Sequence, residues 1–553
     1  VDIKAELQRR VATALAAVAG EHTVPNISME RPKVSEHGDY ASNIALMMAK
    51  SLGRNPMEVA EAIRSHLTLD GTLRKVEVAR PGFLNFFVAE QSLADALHRI
   101  LKEGDGYGRS TLMAGQRVLV EFVSANPTGP LHTGHARNAV VGDCICRTLQ
   151  MAGATVQREY YFNDAGAQIQ RLGESVKARY LQFFQPELPF PEDGYHGNYI
   201  REIAQSLRDQ YGDSWTGRDE LDFARHAEAI VVELINDDLV RMGITFDSRI
   251  SETQFHDQGD VVRCADTLEK VGAAYLNDGA LWLKTTAEGD EEDRVLRKGD
   301  GSFTYLGPDV AYHEHKFRRG YDLIVDLFGA DHHNYAIRLR SAVRALGYNP
   351  DKLRIVIYQL VTVRRGEQIV RFSKRSGDTI TLKEMLDGVG NDALRFFFNL
   401  RKSDSHMEFD WDLAREQSSK NPVYYVQYAH ARCCSIERKA REMGMEPKAD
   451  EQFEPGMLSA PVELNLIRTL LEFPRMVEVA ATSLEPHHFA TYARQVAEQL
   501  NGYFTAGNQD ASLRVLQQDH SSLTQARLTL IRATRQVIHN ALQTLGVSAP
   551  ESM

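Results

Sequence analysis

Cysteine is scarce in this chain, five residues among 553, and their placement excludes a disulfide framework. Cys144-x-Cys146 has no second pair at zinc spacing to complete a metal site, and Cys433-Cys434 are adjacent. Core packing is the reading for Cys144 and Cys146, no structural metal is expected, and a reducing, cytoplasmic setting fits. Long apolar runs are missing too. None approaches the ~18 residues of a membrane span, so no membrane partner is expected. The opening Val1-Asp2-Ile3-Lys4-Ala5-Glu6 lacks the basic-then-apolar order of a secretory leader. Proline is sparse, and no repeat or low-complexity tract interrupts an ordinary globular composition. Excess positive charge is absent as well. The formal net charge of −11 excludes a uniformly basic protein, although nucleic-acid binding depends on local stripes and not on the sum. The acidic block Glu288-Gly289-Asp290-Glu291-Glu292-Asp293 reads as a solvated loop.

What is present is length enough for three or four domains. Residues 1–112 suggest a small α/β unit, with an amphipathic start (Ile3, Leu7, Val11, Leu15, Val18) and strands at its end. Residues 113–385 alternate strand and helix patterns, as a parallel sheet covered on both faces does. A helix-rich stretch at about 167–300 reads as an insertion between the sheet's two halves, mostly helical and without a long β-barrel run. From 386 to 553 helical spacing continues throughout, with Arg527, Arg532 and Arg535 off the apolar set of the last helix. Such a bundle with a basic, aromatic-bearing face would suit RNA.

The most informative stretch is His132-Thr133-Gly134-His135. A β-rich run, Gln116 to Val123, precedes it, then a Pro/Gly/Asn loop, Ser124 to Pro130. Apolar residues at helical spacing follow (Val140, Val141, Cys144, Ile145, Leu149). A helix N-terminus offers free N–H groups and partial positive charge to a phosphate, and two histidines on its first turn add donors. Gly134 permits close approach of a ring or backbone. Alone, the histidines could equally be half a zinc site or two surface residues. Far downstream lies Arg371-Phe372-Ser373-Lys374-Arg375-Ser376-Gly377, a short basic loop rich in small residues.

Together these two segments resemble the His-x-Gly-His and Lys-Met-Ser-Lys-Ser signatures of class I aminoacyl-tRNA synthetases. The second is imperfect: Arg371, Phe372 and Arg375 replace its first lysine, methionine and last serine, while Ser373 and Lys374 keep its centre. Further stretches resemble one family, the arginyl-tRNA synthetases: Glu121-Phe122-Val123-Ser124-Ala125-Asn126-Pro127-Thr128-Gly129-Pro130-Leu131, Tyr161 to Gly166, Tyr305 to His313, Phe328 to His333, Asp392-Ala393-Leu394-Arg395, and Asn421 to Ala429.

The resemblance implies a Rossmann-type class I catalytic domain with a helical insertion, an N-terminal α/β domain that binds the tRNA D-loop, and a C-terminal all-α anticodon-binding bundle. It implies an arginine–tRNA ligase that forms arginyl-adenylate from L-arginine and ATP and transfers the arginyl group to tRNA(Arg). Family members generally activate arginine only with tRNA bound. Mg²⁺ is expected with ATP, and a monomer is expected. The implied catalytic residues are His132, His135 and Lys374; Gly134, Phe372 and Ser373 join them at ATP. Glu121, Tyr305 and Asp309 would face the guanidinium, Asn126, Asp164 and Asp331 the α-amino end, and Ser124 also lines the arginine pocket. The residues implied to touch tRNA are Phe83, Asn85, Tyr424, Tyr428, Arg432 and Met553. Simpler readings stay open: Phe83 as strand core, Glu121 as a solvated strand end, Asp309 as a helix cap. His332 and His333 are read as neighbours pointing apart and not as metal ligands.

Overall fold

The computed structural model describes residues 3–20, 22–32, 34–164, 166–330, 334–370, 380–445 and 453–553. The N-terminal unit begins with α1 (Ile3–Ala19), whose apolar face buries Leu7, Val11 and Leu15. Strand β1 (Tyr40–Ser42) leads to α2 (Ile44–Ala49) and α3 (Pro56–Ser65), the latter started by Asn55 accepting from the Met57 amide. Strands β2 (Leu73–Ala79) and β3 (Phe83–Val88) complete an antiparallel sheet of order β1-β3-β2, and α4 (Glu90–Glu103) leaves it.

The middle of the chain is wound on a parallel sheet. It opens with β4 (Arg117–Glu121), α5 (Thr133–Met151) and β5 (Thr155–Phe162). Helices α6 (Ala167–Leu181), α7 (Asn198–Tyr211) and α8 (Glu220–Arg241) follow before β6 (Ser248–Ser251) returns to the sheet. The helical insertion is therefore shorter than the expected 167–300. Past α9 (Glu252–Asp257) and α10 (Asp260–Lys270), β7 (Ala274–Asn277), β8 (Ala280–Leu283) and β9 (Arg294–Arg297) form a small antiparallel sheet of their own. Helix α11 (Leu306–Arg318), β10 (Leu323–Gly329), α12 (Tyr335–Ala345) and β11 (Leu353–Tyr358) close the main sheet in the order β11-β10-β4-β5-β6. The chain reverses direction between β4 and β10, and open parallel sheets bind ligands in the crevice at that switch point.

The acidic block between β8 and β9 is solvated only in part: Glu288, Glu291 and Glu292 are exposed, while Asp290 and Asp293 are tied in. Asp290, 8% exposed, pairs with Arg294 and Arg338 at 2.9 Å each, and Asp293 accepts from the Thr285 and Thr286 amides. Buried carboxylates are stable only with such partners.

Next come β12 (Val361–Arg365), β13 (Gln368–Val370), α13 (Leu382–Val389) and α14 (Asn391–Phe398), then β14 (Met407–Asp410), which pairs parallel with β12. The helical portion thus does not begin cleanly at 386, because β14 sends the chain back into a sheet. After α15 (Trp411–Arg415), the bundle consists of α16 (Pro422–Glu442), α17 (Pro461–Leu471), α18 (Phe473–Ser483), α19 (His487–Gln509) and α20 (Ser521–Thr544). Helix α20 is buried on most of its circumference, as the centre of a bundle must be. Arg527 therefore does not lie on a solvent face. It is 3% exposed, pairs with Glu463 at 2.7 Å and donates to the Ser512 and Arg514 carbonyls.

One face of the parallel sheet carries α5 and, beyond it, the bundle; the other carries α10, α11 and α12. On the first face, Arg395 of α14 joins α5 to the bundle. Fully buried, it reaches Asp143 of α5, the Met242 carbonyl after α8 at 3.0 Å and the Leu545 carbonyl after α20 at 2.7 Å. Arg395→Met should strand the Met242 and Leu545 carbonyls, at ~1–3 kcal/mol for each buried group left unpaired, while Asp143 keeps Arg147. The thermal unfolding midpoint is expected to fall by several degrees. Arg395→Lys should recover little, since one ammonium cannot span a three-way fork; equal midpoints for wild type and Arg395→Met would show that the joint contributes nothing.

Candidate active site

The loop leaving β4 is bent by two residues in the left-handed region, Val123 (φ 66°) and Ser124 (φ 38°). That backbone is costly for a β-branched residue and persists only where surroundings enforce it. Asn138 of α5 accepts from the Val123 amide at 2.7 Å, and the Tyr160 hydroxyl both donates to and accepts from the Ala125 backbone. The turn aims the loop at the start of α5. There His132 is the N-cap: its Nδ1 accepts from the Gly134 amide at 3.2 Å, while His135 Nδ1 lies 3.4 Å from the His132 amide. The two half-buried rings stack, centroids 3.7 Å apart. A Cβ on Gly134 would come within 3.2 Å of the His132 ring, so the absence of a side chain permits the stack.

His132 also bridges to Thr381, and the Leu382 amide donates to the Leu131 carbonyl at 2.7 Å. Thr381 caps α13 in a reciprocal box with Glu384. The histidine turn and the start of α13 are thereby fastened together. Arg371, Phe372, Ser373, Lys374 and Arg375 lie outside the described residues, as do Asp331, His332 and His333.

Beside this turn, three acids stand abreast. Asp326 on β10, Glu121 on β4 and Glu159 on β5 are register partners on adjacent parallel strands. Like charges directly opposite one another repel. Helix α11 and the residue after it answer with His313, Lys316 and Arg319, three residues apart and hence on one face. Lys316, fully buried, bonds to Glu121 and, at 2.7 Å, to Asp326 Oδ1; its ammonium lies 4.2 Å from the centroid of the Tyr312 ring. His313 Nδ1 donates to the Asp309 carbonyl at 2.7 Å and Nε2 lies 2.8 Å from Asp326. Arg319 grips Glu159 with two 2.6 Å bonds, joined by Tyr312 and Ser248. Burial opposes the charge on Lys316, but Asp326 and Glu121 outweigh it and hold its pKa above the ordinary lysine value. Burial likewise opposes the charge on Asp326, and Lys316 with His313 holds that carboxyl below its ordinary value.

Part of the predicted pocket gathers around this row. Ser124 donates to Glu121 at 2.8 Å and accepts from the Tyr161 amide. Glu121 is 7% exposed and ion-paired, which removes the solvated strand-end reading. Asp309, half-buried in the first turns of α11, accepts from the Tyr335 hydroxyl; it is not the helix cap. Burial, with repulsion from Glu252 and Glu121, overcomes that hydrogen bond and pushes its carboxyl up to about 6. Tyr305 is 61% exposed at the head of α11, and its hydroxyl accepts from Gln168, whose carbonyl accepts from Asn126 at 2.8 Å. Asp164 is engaged elsewhere: its oxygens accept from the Ser251 and Thr253 hydroxyls and the Thr253 amide, bracing the start of α9. That brace presents Glu252, a 7% exposed carboxylate absent from the sequence reading, which accepts from the Tyr161 hydroxyl at 2.9 Å. Burial pushes the Glu252 carboxyl up. Gln168 and Glu252 carried no sequence signal, whereas the His313-Lys316-Arg319 spacing was visible and unread.

The remaining predicted contacts lie far from this cleft. Phe83 is 37% exposed on the outer face of β3, removing the strand-core reading, while Asn85, two residues on and facing the same way, is buried. Tyr424, Tyr428 and Arg432 form a ladder along α16: the tyrosine rings are nearly parallel, and Arg432 covers both Tyr428 and Phe504. Met553 is exposed.

A parallel sheet whose first strand turns through a strained loop into a histidine-capped helix, with helices inserted between its strands and a bundle beyond, is the architecture of a class I aminoacyl-tRNA synthetase. Family models match in three consecutive pieces: the arginyl tRNA synthetase N terminal domain at residues 5–88, the class I (R) tRNA synthetase catalytic domain at 96–404 and the DALR anticodon binding domain at 426–553. The chain is 43% identical to the arginine–tRNA ligase of Shouchella clausii over all of its own length and 98% of the relative's. It is 40% identical to that of Bacillus subtilis, covering 98% of this chain and 97% of the other. Among solved structures, Thermus thermophilus arginyl-tRNA synthetase aligns with a TM-score of 0.77 at 22% identity over 99% of both chains. The Plasmodium falciparum enzyme aligns at 0.74 and 16% identity, over 100% of this chain and 99% of that one. The chain belongs to the arginyl-tRNA synthetases and is an arginine–tRNA ligase.

Proposed function

We propose that the crevice between β4 and β10 binds arginine, and that the His132–His135 turn binds the phosphates of ATP. The observation that carries this reading is the concentration of carboxylates, Glu121, Glu252 and Asp309, beside a histidine-bearing helix N-terminus. A guanidinium needs several planar acceptors at once, and a carboxylate cluster supplies them. Asp309 and Glu121 take the guanidinium, with Tyr305 closing over it. Asn126, oriented by Gln168, serves the α-amino end, joined by Asp331, while Asp164 contributes by holding Glu252 in place.

In the first step an arginine carboxylate oxygen attacks the α-phosphorus and pyrophosphate departs. Such a displacement needs positioning and donors for the spreading charge more than a base. His132 and His135 provide these at the α-phosphate, with Gly134 leaving room. Lys374, aided by Ser373 and Phe372, serves the leaving pyrophosphate. ATP enters as its Mg²⁺ complex, the metal travelling with the substrate. In the second step a hydroxyl of the terminal ribose of tRNA(Arg) attacks the arginyl carbonyl and AMP leaves. Phe83 with Asn85 contacts the D-loop, and the Tyr424-Tyr428-Arg432 ladder with Met553 the anticodon, by stacking and cation–π contacts. The enzyme works as a monomer in the cytoplasm, a setting that suits five buried free cysteines.

With tRNA present, His132→Ala or His135→Ala should lower kcat on the order of 10²–10³ with little change in the ATP KM. An unaltered kcat removes the histidines from the mechanism. Asp309→Ala and Glu121→Gln should raise the arginine KM strongly and leave the ATP KM nearly unchanged; the reverse pattern assigns the two subsites backwards. The Asp309 carboxyl, at about 6, is raised, so its neutral form prevails below that pH and its charged form above. Arginine stays cationic throughout, so its kcat/KM should fall about tenfold per pH unit below 6. Comparison with the kcat/KM for ATP over the same range separates Asp309 from the histidines, and equal profiles for the two substrates would discard this role.

A further inference from the structure

Glu121 can serve a cationic substrate only while it keeps net negative charge, yet the fully buried Lys316 bonds directly to it. Left to itself, that ammonium would neutralise Glu121 and leave the pocket nothing to offer. A second carboxylate prevents this. Asp326 is the register partner of Glu121 on the neighbouring strand and takes Lys316 Nζ at 2.7 Å. It is itself fully buried, and its other oxygen is bound by His313 at 2.8 Å.

From this geometry we infer that Asp326 is a charge counterweight. It shares Lys316, so that Glu121 is oriented by the ammonium without being cancelled by it. This rests on the assignment of Glu121 to the arginine pocket. Two buried acids, Asp326 and Glu121, face two cations, Lys316 and His313, the latter donating from both ring nitrogens, so the cluster is balanced only while Asp326 keeps its charge. The other groups facing the cluster leave this balance unchanged. Glu159 is matched by Arg319 in a bidentate pair. Tyr312 covers Lys316 with its ring while its hydroxyl goes to Glu159. Asp326 touches no substrate; it is a positioning residue acting through Lys316.

The test is a charge-balance series in aminoacylation assays with tRNA present. Asp326→Asn keeps the shape but gives Lys316 wholly to Glu121, so the arginine KM should rise at least tenfold while the ATP KM stays within twofold. Removing the lysine as well, in Asp326→Asn/Lys316→Met, frees Glu121 again and should restore most of the arginine KM. A merely structural Asp326 would make the double variant no better than the single. An unchanged arginine KM in folded Asp326→Asn, or no recovery in the double variant, overturns the inference. Should Asp326→Asn alone fail to fold, the double variant decides: an arginine KM within threefold of wild type supports the counterweight, and a tenfold rise refutes it. Asp309→Ala runs alongside. If it too leaves the arginine KM unchanged, the pocket assignment has failed; if it raises the KM while Asp326→Asn does not, only the counterweight has.

Discussion

Three carboxylates abreast on neighbouring strands, Asp326, Glu121 and Glu159, set the terms for the catalytic domain. Such a row in the interior of a sheet would force its own protonation or unfold the strands. It is tolerated because one face of α11 and the residue after it deliver His313, Lys316 and Arg319 at matching intervals. The match ties α11 to the sheet by ion pairs as well as by apolar packing, and so determines where Tyr305 and Asp309 sit. Stability and the placing of Tyr305 and Asp309 depend on the same atoms here. A change in the row alters both together.

The opposite face depends on a different device. Helix α5 carries the histidine turn at one end and is buried along nearly its whole length. Phe122, the residue after β4, presses so closely on Gly142 that a Cβ there would lie 2.3 Å from its ring. Asp143 is held by Arg395, Arg147 and Arg158. The bundle also bears on this helix, which begins at the histidine turn: Arg147 reaches the Gln543 carbonyl at the end of α20. Further out, Asp39 takes Arg468, and Arg31 reaches Asn465 and Thr469, so the N-terminal unit rests on the bundle as well.

Much of this was legible in the sequence because it depends on local pattern. The β-rich run from Arg117 to Glu121, the turn residues after it and the helical spacing from Val140 to Leu149 each report a local preference, and the strand, loop and helix followed. The acid row was not legible. Glu121, Glu159 and Asp326 come from three separate strands, and only strand order makes them adjacent. Glu252 stood out no more than any acid in a first helical turn. Arg527 misled because helical spacing marks an apolar face but cannot tell that a helix is surrounded on every side. The acidic block misled for a similar reason: its partners Arg338 and Arg344 lie on α12, some fifty residues on.

Arg137, one turn into α5, is fully buried, and its guanidinium donates to the carbonyls of Gln359, Lys402 and Ser405 at 2.8–2.9 Å. Burial pulls its pKa down to about 10. Neutral acceptors hold such a cation only as a set, since losing one returns part of the desolvation cost with no ion pair to absorb it. The chain crossing that brings 359 beside 402 and 405 is therefore a fixed joint. Strand β12 starts two residues beyond it, so one buried cation ties the sheet of β13, β12 and β14 to the helix that begins at the histidine turn.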